Sequence, residues 1–91
     1  MSREVLRKMS DAVGERRELE QIAAEALFEL QRAVSLHGPM NSAHEGYAVL
    51  LEELDELWDE IKLKEPSKSR MRTEAIQVAA MALRFVRDMC A

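Results

Sequence analysis

Apolar positions along the chain recur at intervals of three and four rather than two. They fall in three stretches separated by breaks at Gly38-Pro39 and around Pro66-Ser67. That interval draws a single stripe along a helix, and proline both lacks an N–H and disfavours helix in the residue before it. In the first stretch, Ser2 to Leu36, the stripe is Leu19, Ile22, Ala23, Ala26, Leu27, Leu30 and Val34, which predicts a helix over 18–36. Upstream, Gly14 and the potential cap Ser10-Asp11 leave two readings open, a separate short helix or a kink.

The second helix is predicted to open at Ser42-Ala43-His44-Glu45, a capping box in which serine and glutamate each satisfy an otherwise unpaired backbone N–H. Beyond it, Tyr47, Leu50, Leu51, Leu54, Leu57, Trp58 and Ile61 gather on one face. Glu52, Asp55, Glu56 and Asp59 gather on the other, with Glu53 beside the apolar edge. Trp58 shares the leucine face and is expected in the core. The third helix is predicted from about Ser69–Thr73 to about Cys90, and its middle, Ala75 to Leu83, has Gln77 as its only polar residue. No stretch reads as a strand, and no repeat or linker divides the chain. The expected fold is all-α, one domain over 1–91.

Composition sharpens this picture at two points. Apolar residues make up 47% of the chain but aromatics only 4%, which favours helix over strand. A chain of this length buries only about 60–65% of its unfolded surface, too little to cover a helix that is apolar nearly all round. The small residues Ala75, Ala79, Ala80 and Ala82 would allow a second helix close. The expected bundle is therefore completed by homo-oligomerisation, as a dimer or tetramer.

A formal net charge of -4 opposes binding to nucleic acid or to an anionic membrane, so neither is expected as a partner. Ser2 to Glu20 is densely charged and no apolar run reaches the roughly 18–20 residues of a membrane span, so neither a signal peptide nor an anchor is expected. The lone Cys90 cannot form an intrachain disulfide, and a cytoplasmic location is expected.

The chemistry lies in carboxylates. Glu53 and Glu56 are three apart, hence neighbours on one helix. Glu74 follows after 17 intervening residues, Leu57 to Thr73, enough to turn the chain back antiparallel and bring the start of the third helix near the later half of the second. Acidic doublets on an amphipathic helix are ordinarily a solvated face, and Glu74 is also a favourable charge near a helix N-terminus. Facing carboxylates on antiparallel helices are, however, how bundles build divalent-metal sites. An all-oxygen set without a His or Cys cluster selects a hard cation, Mg²⁺ with Mn²⁺ able to substitute.

Leu51-Glu52-Glu53-Leu54-Asp55-Glu56-Leu57 followed by Glu74-Ala75-Ile76-Gln77-Val78-Ala79 resembles the MazG-like branch of the all-α nucleotide pyrophosphohydrolases, over roughly residues 40–88. Those enzymes ligate Mg²⁺ through Glu-x-x-Glu on one helix and Glu-x-x-Asp on the next. The resemblance implies Glu53, Glu56 and Glu74 as metal ligands and Glu53 with Glu52 as catalytic residues, Glu52 helping to position or deprotonate water. Gln77 stands where the pattern has Asp, so its ligand is a neutral amide oxygen or a water in its place. The implied reaction is attack of water at the α-phosphorus of an NTP or dNTP, giving the monophosphate and pyrophosphate.

Lys62, Arg70 and Arg72 flank the turn between the acidic segments, within reach of a triphosphate. Arg84 shares a stripe with Glu74, Gln77, Met81 and Asp88, where it can reach phosphate or pair with Asp88. Asn41 and His44, at the start of the second helix, are candidates for base or sugar contacts, with capping and packing as their plain alternative. Two rival readings remain: another branch of the superfamily (dUTP-type or phosphoribosyl-ATP pyrophosphohydrolase), and a non-catalytic helical interaction module.

Overall fold

The computed structural model describes residues 1–91 and contains three α-helices and no strand: α1 Arg3–His37, α2 Ala43–Ile61 and α3 Lys68–Phe85, the last widening into a π-helical turn, Val86–Cys90. Each helix starts at a serine. Ser2, Ser42 and Ser67 accept from the backbone N–H groups of Val5, Glu45 and Arg70 at 3.2, 3.1 and 3.2 Å, each satisfying an N–H that the helix leaves unpaired. At α2 the box closes one residue early, because Glu45 Oε2 accepts from Asn41 N–H at 3.1 Å rather than from Ser42. α1 ends at Gly38, whose φ of +66° suits glycine and whose N–H still reaches Val34 O at 3.0 Å.

Of the two readings at Gly14, a separate short helix does not form. α1 runs unbroken through Ser10, Asp11 and Gly14. One exposed glycine costs a helix about 1 kcal/mol, too little to break it among strong helix formers.

α3 is the central element. α2 lies antiparallel to it, with Gly46 against Phe85 at one end and Glu60 paired to Arg70 at the other, at 2.9 Å. α1 runs parallel to it, tied by Glu25 to Arg72, Glu29 to Gln77 and Gly38 to Arg84. The core is small: Ala33, Ala80 and Met81 are buried, with Leu30, Val49 and Leu50 packed against them. Ala80 is fully enclosed within its own chain, so of the small residues expected to meet a second copy only Ala75, Ala79 and Ala82 remain exposed. Trp58, expected in the core, is instead 57% exposed.

Gly46 is where α2 approaches the end of α3. A Cβ there would lie 2.6 Å from Phe85 Cδ2 and 2.9 Å from Met40 Sδ. Gly46→Ala is expected to lower stability by about 1–3 kcal/mol through overpacking, measured as a lower midpoint of thermal unfolding.

Candidate metal centre

The antiparallel pairing of α2 with α3 brings Glu53, Glu56 and Glu74 together, with one carboxylate oxygen from each lying within 4.8 Å of the others. Glu53 and Glu56 stand one turn apart on α2, and Glu74 meets them from the first half of α3. Burial pushes the Glu53 carboxyl up to about 7; the charge and hydrogen bond of Glu56 add to this, then the charges of Glu74 and Glu52. Glu74 is also raised, by burial first and then by Glu56, with Arg70 opposing. Glu53 Oε2 is buried without a hydrogen-bond partner. A buried carboxylate oxygen left unpaired among like charges is costly, and a hard divalent cation is the partner that this donor set fits.

A cleft of about 380 Å³ opens beside the cluster, between α1 and α2 and floored by α3. Its lining includes Glu52, Glu53, Gln77 and Arg84, together with Arg32 and His37. Four of the predicted site residues therefore meet there, and Glu56 and Glu74 adjoin Glu53. Asn41 and His44 are exposed at the start of α2 and do not line this cleft.

The basic residues of the turn are engaged elsewhere. Lys62 pairs with Asp59 at 3.1 Å and Arg70 with Glu60 at 2.9 Å. Arg72 forks onto both oxygens of Glu25, one of them at 2.9 Å, and this holds the Glu25 carboxyl below its usual range. Arg72 and Gln77 also line a second groove, about 420 Å³, between α1 and α3 with Gln21 and Phe28.

Arg84 is only 5% exposed. It donates to Gly38 O at 2.7 Å, and its Nε lies 3.8 Å from Asp88 Oδ2, which accepts from Met40 N–H at 2.9 Å. The two side chains pin the α1–α2 connection to the end of α3 and leave a positive charge beneath the cleft.

Sequence reasoning missed what α1 contributes. Gln77 Nε2 donates to Glu29 Oε2 at 2.8 Å, and Arg32 Nε contacts the same oxygen at 3.0 Å. The Gln77 bond, with Arg32 adding to it, keeps the Glu29 carboxyl below its ordinary value. Glu25, Glu29 and Arg32 recur at four and three residues beside the apolar stripe of α1, a periodic polar edge that was available to find them.

With its NH₂ held by Glu29, the Gln77 amide oxygen is the atom left for a cation or a bound water. If the carboxylate cluster holds Mg²⁺ for a hydrolytic turnover, Gln77→Leu is expected to weaken its Mg²⁺ activation about 10–100-fold. Gln77→Asp removes the NH₂ that Glu29 accepts and sets a second carboxylate beside it, so it is expected to tighten Mg²⁺ only where the cation offsets that repulsion. A Mg²⁺ titration of turnover for both variants beside the parent checks this, and an unchanged curve for Gln77→Leu would make Gln77 a packing residue.

No protein-family profile matches this chain, and neither a curated protein nor a solved structure matches it. No helix is long and apolar enough to cross a membrane.

Proposed function

We propose that the chain is a Mg²⁺-dependent nucleoside triphosphate pyrophosphohydrolase of the MazG-like kind, acting on an NTP or dNTP as a homo-oligomer in the cytoplasm. The observation that carries the reading is the convergence of Glu53, Glu56 and Glu74, with one Glu53 oxygen buried and unpaired and its proton held up to about 7. A solvated acidic face leaves its oxygens in water and its pKa values low, so that plain alternative accounts poorly for Glu53.

In this reading Glu53, Glu56 and Glu74 hold the cation, Mg²⁺ or Mn²⁺ in its place, with Gln77 toward it. When bound, the ion screens phosphate charge from these carboxylates and lowers the pKa of a water. Glu52, at the cleft edge beside Glu53, accepts a proton from the attacking water. That water's oxygen bonds to the α-phosphorus as the bond from it to the bridging oxygen breaks, and pyrophosphate leaves. Arg32 and Arg84 line the cleft and give it positive charge for the phosphate chain, each while paired, Arg32 with Glu29 and Arg84 with Gly38 O and Asp88; Arg70 and Arg72 lie off the cleft, paired with Glu60 and Glu25.

The test is pyrophosphate release from a panel of NTPs and dNTPs with Mg²⁺ and then with chelator. Chelator-sensitive release from one or more is expected. A phosphoribosyl-ATP enzyme would ignore the panel, and a helical interaction module would release nothing from any substrate.

A further inference from the structure

Gln77 stands between two hollows, lining both the cleft beside Glu53 and the groove between α1 and α3. One end of its amide donates and the other accepts. The cleft holds Glu52 and Glu53 and the groove holds Glu25 and Glu29, so carboxylates able to take the NH₂ lie on either side. The NH₂ goes to Glu29 Oε2 at 2.8 Å, while Glu53 Oε2 stays buried without a partner. An ionised carboxylate only accepts, so Glu29 decides which way the amide lies. The amide oxygen is then what Gln77 has to offer the cleft. There it is repelled by the glutamates unless a cation stands among them.

A carboxylate behind the NH₂ also changes the oxygen in front. Negative charge at the donor end drives electron density toward the amide oxygen, as a carboxylate behind a metal-bound imidazole raises the basicity of that ligand. Arg32 Nε reaches the same Glu29 oxygen at 3.0 Å and works against this. The Arg32 side chain, however, is 54% exposed and the Glu29 side chain 22%. Water and salt screen the guanidinium more than the carboxylate, so the field at Gln77 is that of a negative charge.

We infer that Glu29 of α1 is a positioning residue of the metal centre: by holding the Gln77 NH₂ it leaves the amide oxygen to the cleft beside Glu53 and lends that neutral ligand the charge of a fourth carboxylate. The inference rests on the cation of the proposed function and is independent of which bond the reaction breaks. It brings α1 into a centre whose other carboxylates all come from α2 and α3. Glu29 acts there only through Gln77, without touching the ion.

The test is a double-mutant cycle read by metal binding rather than by turnover. Glu29→Gln keeps an oxygen that can accept from the Gln77 NH₂ and removes only the charge. Gln77→Asp puts a charge on α3 that Glu29 opposes, and the double variant keeps one charge and one bond with their ends exchanged. Binding of Mn²⁺ to the full chain is followed by loss of the free-ion EPR signal, and binding of Mg²⁺ by competition. With Gln77 in place, Glu29→Gln is expected to weaken binding about 10–100-fold. In the Gln77→Asp background the same change should leave binding unchanged or tighten it, because a repelling neighbour becomes a donor. A loss of equal size in both backgrounds, or no loss in either, would overturn the role of Glu29 alone. Should Glu29→Gln by itself fail to fold, weaker binding in the double variant than in Gln77→Asp would overturn it as well. A parent that binds neither ion would overturn the metal centre itself, and this inference with it.

Discussion

Replacing Glu53 by Gln is expected to abolish Mg²⁺-dependent turnover, by about a thousandfold or more, and at the same time to make the metal-free chain more stable at neutral pH. The first effect follows from the proposed role of Glu53 as one of three carboxylates holding Mg²⁺. The second follows from linkage. The Glu53 carboxyl titrates near 7 in the folded chain against an ordinary 4.5, so the folded state holds its proton more tightly. Its contribution to stability is therefore fully present below about 4.5 and is lost as pH rises through about 7. Glu74, shifted in the same direction, adds to the trend.

Without Mg²⁺ the parent should thus melt at progressively lower temperature as pH rises through that window. Glu53→Gln should show a flatter profile and, at neutral pH, a gain on the order of 1 kcal/mol, or about 4–8 °C in Tm for a chain of this size. Added Mg²⁺ should raise the parent's Tm and leave the variant's unmoved. Thermal melts at several pH values, with Mg²⁺ and with chelator, read all of this. A variant that loses activity because it unfolds, or that responds to Mg²⁺ like the parent, would remove Glu53 from the metal centre.

The second large effect is expected at Arg84. Buried at the end of α3, it donates to Gly38 O and lies beside Asp88, which holds Met40 N–H. Arg84→Leu fills similar volume but leaves the Gly38 carbonyl unpaired and the Asp88 charge uncompensated. The Arg84 Nε is buried without a hydrogen-bond partner and only approaches Asp88 at 3.8 Å, so the loss is that of the bond to Gly38 O and of a loose ion pair, about 1–3 kcal/mol, still a sizeable part of what a 91-residue domain has available. Chemical denaturation should show that loss as a lower midpoint with little change in slope. A loss under about 1 kcal/mol, with activity reduced instead, would make Arg84 a phosphate contact in the cleft rather than a clamp on the α1–α2 connection.

The parts of this fold legible in the sequence are those written in short-range chemistry. The Ser42 cap, the breaks at Gly38-Pro39 and Pro66 and the helical spacing of Glu53 and Glu56 each depend on residues within a turn or two of one another. The meeting of Glu74 with that pair needed only a hairpin. Local rules stopped short where the outcome depends on a distant partner. Glu29 and Gln77 are 48 residues apart, and nothing near either one announces the bond between them. A helical wheel also shows that Trp58 and Leu54 share an apolar side but not what covers it, so a core within the chain was expected where the structure leaves that side bare. At Gly14, a single weak residue was outvoted by a strong helix on either side.

The most direct test of the account concerns where water attacks. Turnover of a nucleoside triphosphate from the reactive panel is run with Mg²⁺ in heavy-oxygen water, and the products are separated and read by phosphorus NMR. If the Glu53, Glu56 and Glu74 centre directs water to the α-phosphorus, the label appears in the nucleoside monophosphate and the pyrophosphate stays unlabelled. Label in pyrophosphate, release of orthophosphate in its place, or no turnover of any panel substrate at saturating Mg²⁺ would contradict the proposed reaction.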